Sequence, residues 1–185
     1  MATRNAGKVE SRRPASGPAR RRRLWASGLG IAALAAGLVG YLAYRAAADL
    51  PGVKLADLGN AHIQMATDPH PPYNSEPPTS GPHLPYIAPW GIHTQPIVNE
   101  LQVHNLEDGG VMVQYRCATP CPELVGKLTE IVKRYETQVI LAPYPGMRTR
   151  IALTAWTRLD AFDDFDEARI VRFIRAYRGI DHHKG

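Results

Sequence analysis

The sequence lacks the short motifs that identify the common enzyme classes. It contains no nucleophile elbow, no phosphate-binding loop, no dinucleotide-binding glycine pattern and no H-E-x-x-H zinc motif. It also has no internal repeat and no pair of carboxylates spaced for acid–base catalysis. These motifs therefore assign the chain to no enzyme class, and the sequence identifies no small-molecule substrate.

Charge is absent from residues 24–44, which follow a strongly basic stretch. Residues 1–23 contain eight lysines or arginines and one glutamate, so their net charge is +7. Because the whole chain carries +5, the remaining residues sum to −2. A helix over the uncharged stretch would rise about 30 Å, the thickness of a bilayer's hydrocarbon core. The sequence therefore predicts a transmembrane helix at 24–44.

This predicted helix implies a topology and several partners. Basic residues stay on the cytoplasmic side, so 1–23 is predicted to be a cytoplasmic tail and 45–185 extracytoplasmic, in a single-pass protein of the cell membrane. Cleavage of a signal peptide after Ala48 is the alternative. The arginines of residues 1–23 are expected to contact the lipid headgroups of the membrane, and no nucleic-acid partner is predicted. A homodimer through the helix would use small residues spaced four apart: Gly28, Ala32, Ala36 and Gly40.

The rest of the chain is predicted to form one α+β domain. Residues 45–60 resemble a connector, 61–180 form the domain, and 181–185 are expected to be a frayed tail. Residues 61–91 hold eight of the sixteen prolines without any period, which predicts a long ordered loop. A small mixed sheet with two helices follows, with strands at 111–117, 138–144 and 150–156 and helices at 122–135 and 166–179.

Two local features complete this prediction. A short helix is expected before the turn that begins at Asp108. A group of acidic residues is expected to open the last helix and to complement its dipole: Asp160, Asp163, Asp164, Asp166 and Glu167.

Histidine is concentrated in one part of the predicted domain. Five of the seven histidines fall between His62 and His104. The stretch YNSEPPTSGPH presents His83 at the end of a loop that its prolines stiffen. In a helix, His104 would share a face with Glu107 and Asp108, because residues three and four apart are neighbours. His70 and His93 are interpreted as structural.

These motifs resemble a known bacterial family. His62, YNSEPPTSGPH, APWG, VHNLEDGGVMVQY and APYPGM are similar to the family of domain of unknown function 3105, over residues 60–178. The resemblance implies that His62, His83 and His104 fall on family histidines and Glu107 on the family glutamate. It also implies a second histidine after that glutamate, where this chain has Asp108. Members are mostly small proteins, often with one N-terminal membrane segment, and the family name implies no activity.

The residue types predict a transition-metal site. Imidazole with carboxylate suits zinc, and imidazole with thioether suits copper. The predicted ligands are His62, His83, His104, Glu107 and Asp108, with Met65 of the H-x-x-M pair as a further candidate.

The two cysteines support different hypotheses. Cys117 ends a predicted strand and Cys121 precedes a predicted helix, an arrangement that resembles the copper-handling Sco proteins and their thioredoxin-like fold. A helix N-terminus favours a reactive thiolate, which would suit thiol–disulfide exchange or copper transfer. A structural disulfide in an oxidising compartment is the alternative. A structural or protein-interaction domain without metal is a further alternative for the whole chain.

Overall fold

The computed structural model describes residues 34–42, 44–45 and 50–183. The chain divides into one unit before Leu50 and a second unit from Leu50 onwards. In the first unit, residues 34–42 and 44–45 are helical, and we call them α1. The predicted basic tail, the signal-peptide site after Ala48 and two of the four small residues of the predicted dimer face lie outside the described residues.

The prediction of a transmembrane helix is wrong. Among the described residues, no helix is both long and apolar enough to cross a membrane. The continuous helical run 34–42 rises only about 14 Å, which is less than half of a hydrocarbon core of about 30 Å. Residues 24–33 and 43 of the predicted span lie outside the described part of the chain. The predicted single-pass membrane localisation depended on this helix and is therefore wrong as well.

The second unit is built on one mixed sheet of six strands in the order β1-β6-β5-β3-β4-β2. The strands β2, β3 and β4 run parallel to one another, and the remaining neighbours pair antiparallel. Its elements in chain order are β1 (Val53–Lys54), β2 (Gly91–Ile92), α2 (Asn99–Glu107), β3 (Val111–Tyr115), α3 (Pro122–Val132), β4 (Val139–Pro143), β5 (Ile151–Ala155), β6 (Arg158–Phe162) and α4 (Glu167–Tyr177).

The predicted α+β architecture is present, but three strands were missed. β1 and β2 have two residues each, so they carry no alternating pattern. β6 contains Asp160, which the sequence analysis assigned to the start of the last helix. In the structure Asp160 is 8% exposed, and Arg169 of α4 donates its Nε to the carboxylate at 2.9 Å. This pairing offsets the cost of burying the Asp160 carboxylate, so Asp160 can occupy a buried position in β6.

Each face of the sheet is covered by different elements, because alternate residues of a strand point to opposite sides. Val111 and Val113 of β3 belong to a core with α3 and α4. Met112 belongs to a second core with α2, Trp156 and the apolar residues of the proline-rich loop. This second face carries the histidines.

Candidate metal centre

A short parallel bridge places His62 beside His83. The His83 amide donates to the Ala61 carbonyl at 3.0 Å, and the Ile63 amide donates to the His83 carbonyl at 2.8 Å. The Gly81 amide extends the pairing to Gly59 at 2.9 Å. The two imidazole ring centres lie 5.0 Å apart as a result.

The proline-rich loop is fixed against the rest of the domain. The Tyr73 hydroxyl donates to the Pro82 carbonyl at 2.6 Å, and the Leu84 amide donates to the Glu100 carbonyl of α2 at 2.8 Å. Gly81 has a φ of 120°, in a region that favours glycine, and a Cβ there would lie 3.1 Å from the Tyr73 ring. His83 is fully buried as a consequence.

The last four residues of α2, HNLE, have different surroundings. Leu106 is buried in the core, while His104 and Glu107 face the loop that carries His83. Asn105 binds the backbone of Ala88 twice: its Nδ2 donates to the carbonyl and its Oδ1 accepts from the amide, both at 2.9 Å. The helix therefore supplies two candidate ligands and fastens the loop opposite them.

The turn after α2 requires glycine. A Cβ at Gly110 would lie 2.4 Å from the Asn105 carbonyl oxygen and 2.7 Å from the Trp90 ring. Such a contact is impossible without moving the backbone, so a larger residue would displace the end of α2 and its two ligands.

The Glu107 carboxylate lies at the centre of the histidines. Its Oε2 is 2.9 Å from Nε2 of His83, 3.8 Å from Nε2 of His62 and 4.0 Å from Nδ1 of His104. Its other oxygen, Oε1, accepts a hydrogen bond from Asn60 Nδ2 at 2.6 Å. The Glu107 side chain is fully buried, so its charge needs a compensating cation. We call His62, His83, His104 and Glu107 the first cluster.

The hydrogen bonds of His83 define which atom faces Glu107. Its Nδ1 is 2.7 Å from the Gly81 carbonyl, which accepts only, so this nitrogen carries a proton. In the neutral ring, Nε2 then directs a lone pair at the Glu107 carboxylate. The lone pairs of His83 Nε2 and Glu107 Oε2 would repel each other at 2.9 Å unless a proton or a metal cation lies beside both atoms.

The His104 ring contributes a second lone pair. Its Nδ1 is buried and has no hydrogen-bond partner among the residues that the structure describes. Burial lowers the pKa of His104, against the opposing effect of the Asp108 and Glu107 carboxylates. Burial therefore favours the neutral form of the His104 imidazole, which is the form that binds a metal.

The spacing of the first cluster suits one ion. Its four ligand atoms all lie within 4.8 Å of one another. Two ligands of a tetrahedral zinc ion are about 3.4 Å apart when the bonds are about 2.1 Å long. The separations of 2.9 to 4.0 Å around Glu107 Oε2 lie on both sides of that value.

The other predicted ligands lie elsewhere. Asp108 is grouped with His104 and His183 rather than with the first cluster. Met65 is 61% exposed, and its amide donates to the Asp68 carboxylate at 2.9 Å.

The two histidines interpreted as structural are hydrogen-bonded. His70 Nε2 is 3.3 Å from Glu100 Oε1, and His93 Nε2 donates to the Pro89 carbonyl at 2.7 Å.

The sequence analysis missed two residues at this site. His183, assigned to a frayed tail, places its Nε2 at 3.4 Å from Glu107 Oε2. The only available signal was its residue type, because it lies 76 residues beyond Glu107 in the sequence. Asn60, which orients Glu107, carried no signal at all.

Cys117 and Cys121 form a disulfide, with their Cα atoms 6.0 Å apart. Cys121 immediately precedes α3, as predicted. Both cysteines pack against the core between the sheet and α3 and α4. The disulfide and the first cluster therefore lie on opposite faces of the sheet.

The family model described as "Protein of unknown function (DUF3105)" matches residues 62–184. The chain belongs to this family. The matched DUF3105 region begins at His62 and extends past His183, so it includes every residue of the first cluster and the tail that approaches it. No curated protein and no solved structure matches the chain.

Proposed function

We propose that this domain binds a divalent transition-metal ion, zinc or copper, through His62, His83, His104 and Glu107. The contact between His83 Nε2 and Glu107 Oε2 supports the proposal most directly, because both atoms are buried and both offer lone pairs. A proton would satisfy this pair alone. A metal ion would also satisfy His104 Nδ1, which is buried and has no hydrogen-bond partner within the described part of the chain.

The donor set indicates the class of metal. Three imidazole nitrogens and one carboxylate oxygen suit Zn²⁺ and Cu²⁺, whereas Cu⁺ prefers sulfur ligands. The hydrogen bond from His83 Nδ1 to the Gly81 carbonyl and that from Asn60 to Glu107 Oε1 are the supporting contacts that metal ligands commonly have.

The number of ligands favours binding over catalysis. Structural zinc sites have four protein ligands, while catalytic sites keep one position for water. The first cluster offers four protein ligands, so we propose no reaction at it.

The test is an equilibrium titration of the full-length chain, without a histidine tag and after removal of metal by a chelator. We expect Zn²⁺ or Cu²⁺ to bind with a sub-micromolar dissociation constant and to raise the melting temperature. His83→Ala and Glu107→Gln should abolish binding at the first cluster. His93→Ala is the matched control, because His93 lies in the same part of the chain, belongs to neither group of ligand atoms, and its ring donates to the Pro89 carbonyl. A chain that binds neither metal would contradict the proposal.

The Cys117–Cys121 disulfide supports a second candidate function, thiol–disulfide exchange. It lies at the start of α3 and lines a surface pocket together with Arg116 and Arg150, whose positive charges would favour a thiolate. In that reaction a partner dithiol is oxidised to a disulfide while Cys117 and Cys121 are reduced to two thiols. A disulfide that resists a physiological dithiol such as reduced thioredoxin would exclude this role.

A structural role without metal is the third candidate. In this case Glu107 holds a proton, and the cluster only fastens the proline-rich loop to α2. His83→Ala would then destabilise the protein by the same amount with and without added metal, whereas a metal site predicts a larger loss when metal is present.

A further inference from the structure

A second group of ligand atoms adjoins the first cluster. It consists of His104, Asp108 and His183, which we call the second cluster. Asp108 Oδ1 lies 3.8 Å from His104 Nε2 and 3.6 Å from His183 Nε2. These separations are close to the spacing of about 3.4 Å expected for two ligands of one tetrahedral ion.

The C-terminal segment that carries His183 is docked at the end of α2. The His182 amide donates to the Glu107 carbonyl at 2.9 Å, and the Gly179 amide donates to the Gly109 carbonyl at 2.8 Å. The His182 ring stacks on Trp156 with the ring centres 5.9 Å apart. The segment also passes so close to Gly109 that a Cβ there would lie 2.7 Å from the Ile180 amide nitrogen. Backbone contacts therefore fix the position of His183.

The His183 ring is oriented as a metal ligand. Its Nδ1 is 2.8 Å from the Asp181 carboxylate, which also accepts the His183 amide at 2.8 Å. With the proton on Nδ1, the lone pair of Nε2 faces Asp108 and Glu107. A carboxylate behind a histidine is the usual support of a metal-binding imidazole.

His104 belongs to both clusters through different nitrogens. Its Nδ1 lies 4.0 Å from Glu107 Oε2, while its Nε2 lies 3.8 Å from Asp108 Oδ1. The two nitrogens of one imidazole point in divergent directions, so each can bind a separate ion.

We infer that the second cluster binds a second divalent transition-metal ion and shares the His104 imidazole with the first. The inference rests on the proposed function of the first cluster. With both ions bound, His104 would offer Nδ1 to one and Nε2 to the other, and its ring proton would be released to solvent. Asp108 and His183 have partly exposed side chains, so water completes the coordination of the second ion.

The test counts ions per chain. The untagged full-length protein is dialysed against Zn²⁺, and the bound metal is measured by mass spectrometry. We expect two ions in the wild type, one in Asp108→Asn and one in His183→Ala. Loss of a first-cluster ligand in His62→Ala should leave the second ion in place. His104→Ala should lose both ions, because it removes the shared ligand. His93→Ala is the control and should retain two.

Each result has a distinct meaning. One ion in the wild type, unchanged in number in His183→Ala, would overturn the second site and leave the proposed function intact. No ion in the wild type would overturn both. One ion retained in His104→Ala would show that the clusters do not share a ligand. Circular dichroism of the metal-free variants identifies any that fail to fold, and Asp108→Asn preserves the size of the side chain for that reason.

Discussion

Asn60 donates its side-chain amide to Glu107 Oε1 at 2.6 Å, and this bond leaves Oε2 as the oxygen that faces the histidines. The two residues are 47 positions apart in the sequence. Asn60 is not a ligand in either cluster, so its effect on metal binding would act through the orientation of the carboxylate.

Asn60→Ala should weaken metal binding at the first cluster by about 10- to 100-fold, the usual cost of losing a residue that supports a ligand. Competition with a chromogenic chelator measures this change. Asn74→Ala is the matched control, since Asn74 is an asparagine of the neighbouring proline-rich loop whose side chain donates to the Ala56 carbonyl and not to Glu107. Equal affinities in the two variants would contradict a role for Asn60 in orienting Glu107.

Glu107→Gln should separate metal binding from folding. In the metal-free protein, the new amide can donate to His83 Nε2 while its oxygen still accepts from Asn60, so no lone pairs oppose each other. We expect the metal-free variant to be as stable as the wild type or about 1 kcal/mol more stable, because it buries no charge. Zinc at 100 times its dissociation constant for the first cluster should stabilise the wild type by about 2.7 kcal/mol through that cluster, and the variant should lose this contribution.

Urea unfolding with EDTA and with Zn²⁺ measures both quantities. If zinc stabilises Glu107→Gln as much as the wild type, the ion binds at another place in the protein. His93→Ala, which leaves both clusters intact, should behave as the wild type in both conditions.

Asn105→Ala should destabilise the fold whether or not metal is present. The substitution leaves the buried amide and carbonyl of Ala88 without partners, at a cost of about 2–4 kcal/mol for the two groups. Urea unfolding of the metal-free protein provides the measurement. Lys133→Ala removes an exposed ion pair with Glu130 and should change stability by less than about 0.5 kcal/mol.

Replacing Cys117 and Cys121 with serine should leave the number of bound ions unchanged. The disulfide packs against the α3 and α4 side of the sheet, whereas the first cluster lies with α2 on the other side. Loss of this short loop closure should cost about 2 kcal/mol of stability. A loss of bound copper in the double variant would instead favour the copper-transfer role of the cysteines.

The sequence predicted the parts of the site that depend on local spacing. His104 and Glu107 are three residues apart in a helix that their sequence context indicated, so their shared face followed directly. His62 and His83 could be assigned only from the motifs of the resembled family, because a parallel bridge between distant segments has no local pattern. His183 depends on a tail that docks through backbone hydrogen bonds, which any residue can make.

The fold was predicted in a similar, partial way. The strands and helices with regular apolar spacing, such as β3 and α3, were identified from that pattern. β6 was missed because the contribution of Asp160 depends on its pairing with Arg169 in space. The transmembrane prediction took the whole uncharged run 24–44 as one helix, whereas no helix among the described residues is long and apolar enough to cross a membrane.

The parallel bridge between His62 and His83 has a consequence for the order of folding. The proline-rich loop contributes little regular structure, and backbone hydrogen bonds join it to α2 through Leu84 and to the turn between β5 and β6 through Thr79. A metal ion bound there would join segments 21 and 24 residues apart, His62 to His83 and His83 to Glu107, and so restrict the motion of the whole loop. We expect hydrogen exchange in residues 61–91 to slow on metal binding while exchange in β3, β4 and β5 stays the same. In that case the ion acts as a late cross-link on a sheet that forms without it.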